Sequence, residues 1–582
     1  MAAINPTHGY QDKVSTHVSH DVLELCQNAL LSTLEKRLRV PEVTLDHFKR
    51  AAADIGAHGD NDTLPFDVDN RFIKENQDAL AEVAFNYFRE LEAGSAKSAA
   101  SAINSLQVFS ERLLTPTGPA GFRITTKIHP FWNIYFNGLG VAIAEANEPQ
   151  RNDRAHSYRF VEKGDGLFDR TASWRAYREA TIADNDLKKD GAVVVQTDIS
   201  SFYEHIYHHR IENCIADLFP QRSTVSKQVD RFLNKYASRR SFGLPVGGQC
   251  ARILAELLMT SVDRMLSDAG VIWHRYVDDF TLITSSQADA YRALSVLSHA
   301  LADYGLSLNR TKTTVLTAKH YIDYARTQLG TPDDETSKLK EIDLHFDPYS
   351  DTAGSDYEEL RETVEKLEVQ TLLNLELQKG QPDAFMVAQI GRTLKLHSPR
   401  VALQLCATIL DAKNLHAFRA SWSSIMRGIT SVRADKANTD IFDQLDQHLD
   451  AIPEHSSHLL LPETNCLHYL KAIRFQRTQS RAGYVNTVYS STASATVKRA
   501  CIECWRFWKD RPSFTSMLNK WNSVGAEEQR MLWLVATDFG DEGKHFRNQV
   551  CKSLANMWAL GIEKGGKPTF ESIYTKWASN GS

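Results

Sequence analysis

The chain has 582 residues, of which 42% are hydrophobic and 24% charged, a composition typical of a globular protein of about three or four domains. That composition excludes a collagen-like, disordered or disulfide-stapled chain. With 67 Lys and Arg against 72 Asp and Glu, the net charge is −5, so the chain is not basic as a whole, although a single cleft can still be locally basic.

The sequence predicts a cytoplasmic protein without a membrane span. The best apolar stretch, Ile253–Val262, is interrupted by Glu256 and Thr260 and is shorter than the roughly 18 residues that a span needs. The first residues show no basic region followed by an apolar one, so we expect no signal peptide. The 8 cysteines are scattered along the chain, which favours a reducing compartment.

Residues 1–100 are predicted to be helical. Apolar residues recur at helical spacing from Val22 to Leu38, and a second amphipathic run covers Leu80–Leu91. The small and polar segment Gly94–Ser101 predicts a joint.

The middle of the chain alternates strands and helices. A β-branched run at Gly191–Thr197 predicts a buried strand, and Ile253–Met265 has the spacing of a strong amphipathic helix. Val271–Thr284 predicts two strands around a tight turn, Leu294–Tyr304 a helix, and Leu306–Leu316 a further strand. This order predicts an α+β domain with a mostly antiparallel sheet.

From residue 331 onward the pattern is helical. Gly330–Ser355 is rich in Asp, Pro, Thr and Ser and predicts a linker, and helical spacing resumes at Phe385. An irregular helical solenoid remains open. Seven of the 10 tryptophans lie in this half: Trp422, Trp505, Trp508, Trp521, Trp533, Trp558 and Trp577.

Three carboxylates carry the predicted chemistry. Asp278 and Asp279 lie at the predicted turn, where the chain reversal can aim both at one place, and Asp198 ends the preceding strand. Each alone also fits a turn or a helix N-cap. Carboxylates beside apolar strands are costly to bury without a cation, and their hard oxygens suit Mg²⁺. Together they predict two cations about 3.5–4 Å apart, as in phosphoryl and nucleotidyl transfer.

Four segments resemble motifs A, B, C and D of reverse transcriptases, in order and spacing. They are Asp198–Tyr203 (DISSFY), Gly243–Gly247 (GLPVG), Tyr276–Asp279 (YVDD) and Gly305–Lys312 (GLSLNRTK). Upstream, Ser157–Arg159 and Trp174 resemble the fingers region. The resemblance implies an α+β right-hand polymerase, with fingers at 101–190 and a palm at 191–330. The helical region 1–100 would precede them, and 331–582 would form an α-helical thumb and C-terminal region, HEAT-like in character.

The motif B variant suggests a subfamily. Val246-Gly247 stands where mobile-element enzymes usually have Gln-Gly, and it resembles the Abi and DRT defence-associated enzymes of bacteria. The resemblance implies dNTP substrates, two Mg²⁺ ions (or Mn²⁺), an anti-phage role, and priming by a protein or synthesis without a conventional template. Partners would be RNA or DNA, including a non-coding RNA, a second copy of the chain or a second defence protein. An RNA-templated retron-like or group II intron-like enzyme and a non-catalytic RNA-binding scaffold are the alternatives.

The resemblance also assigns individual residues. The catalytic and metal-binding positions are Asp198, Asp278 and Asp279, with Ile199 added for the metal. Tyr203 would exclude the ribose 2′-hydroxyl, or else pack at a helix start. The other nucleotide-binding candidates are Phe202, Gly247, Gly248, Lys312, Arg123, Lys127 and Arg159, of which the last three can equally be surface charges.

Three further groupings predict structure rather than chemistry. The spacing of His205 and His208, with His209 beside them, could serve a metal but favours a solvated helix face. Cys501 and Cys504 form an isolated pair, which favours core packing. Glu542 and His545 favour a capped helix start over a metal site.

Overall fold

The computed structural model describes residues 41–342, 360–558 and 568–579, apart from short gaps at 119, 165, 220–222, 239 and 331–334. At 341 and 551–558 only the backbone is described. The predicted helical pattern from Val22 to Leu38 therefore lies outside the described residues.

The N-terminal region is helical, as the periodicity predicts. Its helices are α1 (Leu45–His58), α2 (Val68–Glu75), α3 (Gln77–Glu92) and α4 (Ala96–Ser105). The predicted joint at Gly94–Ser101 is wrong over most of its length, because the Ser95 side chain accepts a hydrogen bond from Ser98 N and so caps α4.

A hairpin and a long buried helix follow. They are β1 (Ser110–Thr117), β2 (Gly121–Ile128) and α5 (Pro130–Asn147), after which comes α6 (Trp174–Ala183). The strands β1 and β2 pair in antiparallel. Nearly every residue of α5 is buried, and a helix that is apolar all round has no polar face for periodicity to detect. The sequence analysis missed α5 for this reason.

The central α+β unit contains a 4-stranded sheet in the order β4-β5-β3-β6, with every neighbouring pair antiparallel. Its strands are β3 (Val193–Asp198), β4 (Ile272–Tyr276), β5 (Asp279–Thr284) and β6 (Thr314–Thr317). Its helices are α7 (Phe202–His205), α8 (His208–Leu218), α9 (Val225–Tyr236), α10 (Gln249–Asp268), α11 (Gln287–Ala302) and α12 (Ala318–Leu329). This confirms the predicted antiparallel sheet, although the last strand is shorter than predicted.

The two faces of this sheet pack differently. Val195 and Leu282 belong to the main apolar core on one face, whereas Val194 and Ile283 pack with Tyr321 in a second, smaller core on the other. On this second face α12 covers the part of the sheet around Val194 and Ile283. The opposite ends of β3 and β5, which carry Asp198 and Asp279, lie beyond α12.

The C-terminal region is helical, and in the parts described after residue 331 there is no strand. A helical stretch also covers 360–365. The helices are α13 (Glu335–Glu341), α14 (Val369–Gln378), α15 (Ala384–Thr393), α16 (Pro399–Leu410), α17 (Ala412–Ala417), α18 (Trp422–Ala434), α19 (Phe442–His455), α20 (Glu463–Ile473), α21 (Gln479–Ser491), α22 (Ala495–Trp508), α23 (Arg511–Leu518), α24 (Ala526–Val535), α25 (Gly540–Trp558) and α26 (Phe570–Ser579). The predicted linker therefore contains one helix, α13, and most of the rest lies outside the described residues.

The C-terminal helices pack directly on the N-terminal ones. Asp69 of α2 lies 2.7 Å from Arg499 and 2.9 Å from Arg530, all three being buried. Beside this cluster the ring of Phe72 contacts Tyr574, with centroids 4.9 Å apart. The two regions therefore share one core.

The described cysteines are free thiols, and five of the six are buried. None of the helices that the structure describes is both long and apolar enough to cross a membrane.

Candidate active site

The fold brings the three predicted carboxylates together at one edge of the sheet. Asp198 and Asp279 are opposite each other on β3 and β5, so their side chains leave the same face. Asp278 lies in the adjoining turn, where its carbonyl accepts a hydrogen bond from Ile199 N at 3.2 Å. The sequence prediction that these residues converge agrees with this geometry.

The carboxylates repel one another in a partly desolvated setting. Burial, together with the charges of Asp198 and Asp279, raises the pKa of Asp278 to about 7. Burial and the Asp198 charge also raise the pKa of Asp279, while Arg178 and Lys312 oppose this. A cluster of like charges of this kind is relieved by a cation.

Lys312 places a positive charge beside the cluster, and its predicted contact with a triphosphate stays a prediction. Its Nζ lies 2.8 Å from Asp198 Oδ2, and this hydrogen bond raises the pKa of the ammonium. Asn309, which the sequence analysis missed, donates from Nδ2 to the same oxygen at 3.2 Å and from its backbone to Asp198 O at 2.7 Å.

The donor set fits a hard divalent cation, since three carboxylates face one place. Within the described ranges no three His, Cys, Asp or Glu side chains already have metal-site geometry, and the Lys312 ammonium lies beside Asp198. The Ile199 side chain is apolar and buried; only its backbone carbonyl could act as a ligand.

Two hydrogen bonds to Val277 stabilise the turn that carries Asp278. Val277 has φ +57°, a conformation that a β-branched residue rarely adopts. Its N–H donates to Ser157 Oγ at 2.9 Å, and its carbonyl accepts from Arg275 Nη1 at 2.8 Å. These two bonds fix the direction of the next residue, Asp278.

A buried ion cluster in turn fixes Arg275. Its guanidinium is fully buried and lies 2.9 Å from Glu256 and 2.7 Å from Asp263. Glu256 also pairs with Arg151 at 2.7 Å and accepts from Ser157 Oγ at 2.6 Å. The sequence signal for this cluster was Glu256 itself, a charge inside an apolar helix that requires a buried partner.

The motif B loop is packed against the N-terminal region. Gly247 has φ +116°, and a Cβ there would lie 2.1 Å from Asn61 Nδ2. Its carbonyl accepts from Asp62 N at 3.0 Å. Asn61 therefore occupies the space on the Cβ side of Gly247, and the predicted contact between Gly247 and a nucleotide stays a prediction. Gly248 directly precedes α10, and a Cβ added there would lie 3.7 Å from Asp60 O, an ordinary contact distance.

The two aromatic candidates of motif A, Tyr203 and Phe202, lie in different surroundings. Burial raises the pKa of Tyr203 well above its usual range, with Tyr158 and Asp278 among the neighbouring groups, so its phenol lies on the carboxylate side. Its carbonyl accepts from Leu244 N at 2.9 Å. Phe202 packs in the apolar core and is only 4% exposed, so its predicted contact with a nucleotide is wrong.

The fingers candidates do not reach the carboxylates. Lys127 is buried, with its ammonium 2.7 Å from Asp60 and 2.8 Å from Asp67, so it is not available to a triphosphate. Arg159 is held 2.6 Å from Glu148. The Nε of Arg123 on β2 is buried without a hydrogen-bond acceptor among the described residues.

The histidines after motif A, the cysteine pair and Glu542 take part in packing, hydrogen bonds and ion pairs of the fold. His208 is buried, with Nε2 2.8 Å from Gly243 O, which corrects the predicted solvated face at this residue; His205 and His209 are exposed. Cys501 and Cys504 are buried in the core as predicted. Glu542 on α25 pairs with Arg511 of α23 at 2.7 Å.

Residues 144–334 match the family model described as reverse transcriptase (RNA-dependent DNA polymerase). No curated protein matches the chain. Among solved structures, a telomerase from Candida albicans in complex with a telomeric RNA fragment is similar at 12% identity and a TM-score of 0.29, over 59% of this chain and 65% of that one. The apo telomerase from Candida tropicalis has 11% identity and a TM-score of 0.28, over 66% and 74%. The matched range includes all three carboxylates, so this part of the chain carries a reverse transcriptase domain, and the chain spans just under two thirds of the Candida albicans telomerase.

Proposed function

We propose that this chain adds dNMPs to a primer hydroxyl at a site formed by Asp198, Asp278 and Asp279. The observation that carries the proposal is the convergence of three carboxylates at one sheet edge, with the Lys312 ammonium 2.8 Å from Asp198. Two Mg²⁺ ions, or Mn²⁺, bound there would activate the attacking hydroxyl and stabilise the leaving pyrophosphate.

The residues of this chain have separate tasks in that reaction. The carboxylates would hold the cations, and Asn309 and Lys312 orient Asp198 through hydrogen bonds to its carboxylate. Lys312 is also placed to neutralise or protonate a phosphate oxygen. Tyr203 limits the space beside the sugar and so selects deoxynucleotides. The ion cluster behind Val277 keeps Asp278 aimed at the site.

We propose further that the enzyme serves bacterial defence in the cytoplasm, with a protein primer or without a conventional template. The support is the resemblance of Val246-Gly247 to defence-associated enzymes and the long helical region after the palm, to which we assign the thumb.

The direct test is incubation of the purified full-length chain with labelled dNTPs and Mg²⁺, followed by sequencing of any product. A product that copies an added RNA would favour the retron-like or group II intron-like alternative. No incorporation with any template, primer or divalent cation, together with retained RNA binding, would favour the scaffold.

The defence role has its own test. Bacteria expressing the chain are challenged with a panel of phages beside cells expressing Asp279→Asn. Plaque formation should fall only with the unchanged chain. Equal plaque numbers for both across the panel would contradict the defence role without touching the polymerase assignment.

A further inference from the structure

The loop between α1 and α2, residues 59–67, is bonded to the C-terminal helices along its backbone. Side chains of α18 and α20 donate to four of its carbonyls: Arg427 Nη2 to Asp62 O at 2.7 Å and to Leu64 O at 2.9 Å, His468 Nε2 to Thr63 O at 2.9 Å, and Lys471 Nζ to Phe66 O. The C-terminal helices therefore set the path of this loop.

The same loop is bonded to motif B on its other side. Asp62 N donates to Gly247 O at 3.0 Å, and Asn61 Nδ2 donates to Val246 O at 3.4 Å. The Asp62 carboxylate also pairs at 2.6 Å with Arg252, which follows motif B on α10. A displacement of the α1–α2 loop would therefore be passed on to motif B.

A cavity of about 40 Å³ lies between this loop and the helices α20, α22 and α24. It has room for about three water molecules, or for one carboxylate or phosphate group. Part of its wall is apolar, with Leu64, Leu467, Leu470 and Met531. Its charged lining residues are Lys471, Arg474, Arg499, Asp67 and Glu503. None of the three catalytic carboxylates lines it.

The cationic groups of the lining have donors without acceptors. The Nε atoms of Arg474 and Arg499 are buried and have no hydrogen-bond acceptor among the described residues, and Arg499 as a whole is only 5% exposed. Lys471 forms no ion pair in the described part of the chain. Burial, with Arg474 and Arg427 nearby, lowers the pKa of Lys471 to about 8.

The carboxylates of the lining are already paired. Glu503 lies 2.7 Å from Arg474, and Asp67 lies 2.8 Å from Lys127. They leave the Lys471 ammonium with a carbonyl as its acceptor. Two guanidinium N–H groups and an ammonium around a space of this size match the oxygens of one oxyanion.

We propose that this cavity binds one small oxyanion, a phosphate or a carboxylate group, and that the bound anion stabilises motif B through the α1–α2 loop. The anion accepts hydrogen bonds from Lys471, Arg474 and Arg499 and so joins α20 to α22 beside the loop. The cavity is too small for a nucleoside, which excludes a whole nucleotide as its occupant. The anion site stands without the proposed function, whereas its effect on the reaction rests on that function.

Binding is measured by titration calorimetry of the full-length chain with sodium phosphate and, separately, sodium acetate, without dNTPs or divalent cations. Sodium chloride of equal ionic strength is the reference. We expect heat from at least one oxyanion, and the stronger binder identifies the group. Lys471→Gln should weaken binding about 10- to 150-fold, the ratio for one lost hydrogen bond to a charged group. No heat from either anion would overturn the site.

Matched variants separate the cavity from general salt effects. Lys520→Gln, at an exposed residue outside the lining, should leave the affinity unchanged. Glu503→Gln removes the carboxylate that occupies Arg474 and should tighten binding by up to about fivefold, a gain that a misfolded variant would not give. Wild-type affinity in both Lys471→Gln and Glu503→Gln would place the anion elsewhere and overturn the site.

The effect on motif B is followed by hydrogen exchange and mass spectrometry. With the anion at 100 times its Kd, amides of the α1–α2 loop and of Gly243–Gly247 should exchange more slowly, by up to about 100-fold. Unchanged exchange in both segments with the anion bound would overturn the link to motif B. Because no dNTP is present, absent incorporation with retained anion binding contradicts the proposed function alone, and the reverse contradicts this inference alone.

Discussion

Replacing Asp278 or Asp279 by Asn removes one negative charge from the carboxylate cluster without leaving a cavity. We expect dNMP incorporation to fall at least about 100-fold, because even changes beside metal ligands cost 10- to 100-fold. The melting temperature should not fall, since burial and repulsion already raise the pKa of both groups. Asp268→Asn, at an exposed residue ending α10, is the control, and near-wild-type incorporation by both variants would contradict the assignment.

Tyr203→Ala tests the selection of deoxynucleotides. Its phenol lies on the carboxylate side, so truncation should relieve the clash with a ribose 2′-hydroxyl. We expect the ratio of rNTP to dNTP incorporation to rise by at least about tenfold, a typical value for steric discrimination in a pocket. Tyr291→Ala, at a residue that is 80% exposed, should leave the ratio unchanged. An active Tyr203 variant with the wild-type ratio would assign the ring to packing.

The residues that could be predicted from the sequence are those with a motif of fixed spacing. Asp198, Asp278, Asp279 and Lys312 lie together as expected. Lys127 and Phe202 do not, because a side chain in a recognised segment can face the core, and one sequence does not show which way it points. Asn309 was missed because an amide in a loop carries no signal until its acceptor is placed.

At the level of elements, the catalytic turn depends on the ion cluster behind it. Glu256→Gln leaves Arg275 and Arg151 with less compensation in a buried place. We expect a loss of about 3–5 kcal/mol in stability, the usual cost of breaking a buried pair, measured by denaturant unfolding. Incorporation should also fall, because Val277 loses support for its strained φ. Glu90→Gln, at an exposed residue of α3, should change neither; an unchanged unfolding midpoint for Glu256→Gln would contradict the role of the cluster.

The motif B loop offers a second test at this level. Gly247→Ala combines backbone strain at φ +116° with a contact of 2.1 Å to Asn61. Gly270→Ala has positive φ but nothing within 4 Å, so it reports strain alone, about 1–3 kcal/mol. We expect Gly247→Ala to be the more destabilising, and Asn61→Ala to remove the excess in the double variant. Equal losses of stability in Gly247→Ala and Gly270→Ala would show that the motif B loop can shift away from Asn61.

The order of elements was predictable where apolar residues at strand spacing lie on both sides of a turn signal, as in the hairpin of β4 and β5. The helix α5 was not, since burial on all sides removes the amphipathic signal. The contacts between β1 and the C-terminal helices were not predictable either. Leu114 N donates to the Glu463 carboxylate at 2.9 Å, across 349 positions of sequence. No pattern of neighbouring residues indicates a contact over that separation.

For the whole molecule, the packing joins the helices after residue 360 to the N-terminal helices in one core. Asp69→Asn should weaken the attachment of α22 and α24, because Arg499 and Arg530 lose a buried partner. We expect about 3–5 kcal/mol lower stability and faster hydrogen exchange in α2, measured by mass spectrometry. Asp78→Asn, whose side chain is 73% exposed, is the control; unchanged exchange would contradict a shared core.

A fragment that ends at Gly330 should behave accordingly. It exposes the apolar surfaces of α2 and β1 that the C-terminal helices cover, so we expect binding of a hydrophobic dye and a lower melting temperature than the full chain. A fragment that melts like the full chain and retains incorporation and nucleic-acid binding would show that the C-terminal helices serve neither stability nor the reaction.

The buried cluster of Asp69 and Arg530 also governs the order of events during synthesis. The two residues are 461 positions apart, which a ribosome covers in roughly half a minute to a minute and a half. Until α22 and α24 emerge, Asp69 lacks both of its arginine partners, and the segment around Asn61 that supports the motif B loop is incompletely packed. We therefore expect a nascent or prematurely terminated chain to contain the three motif carboxylates without the complete packing that surrounds the motif B loop in the full chain.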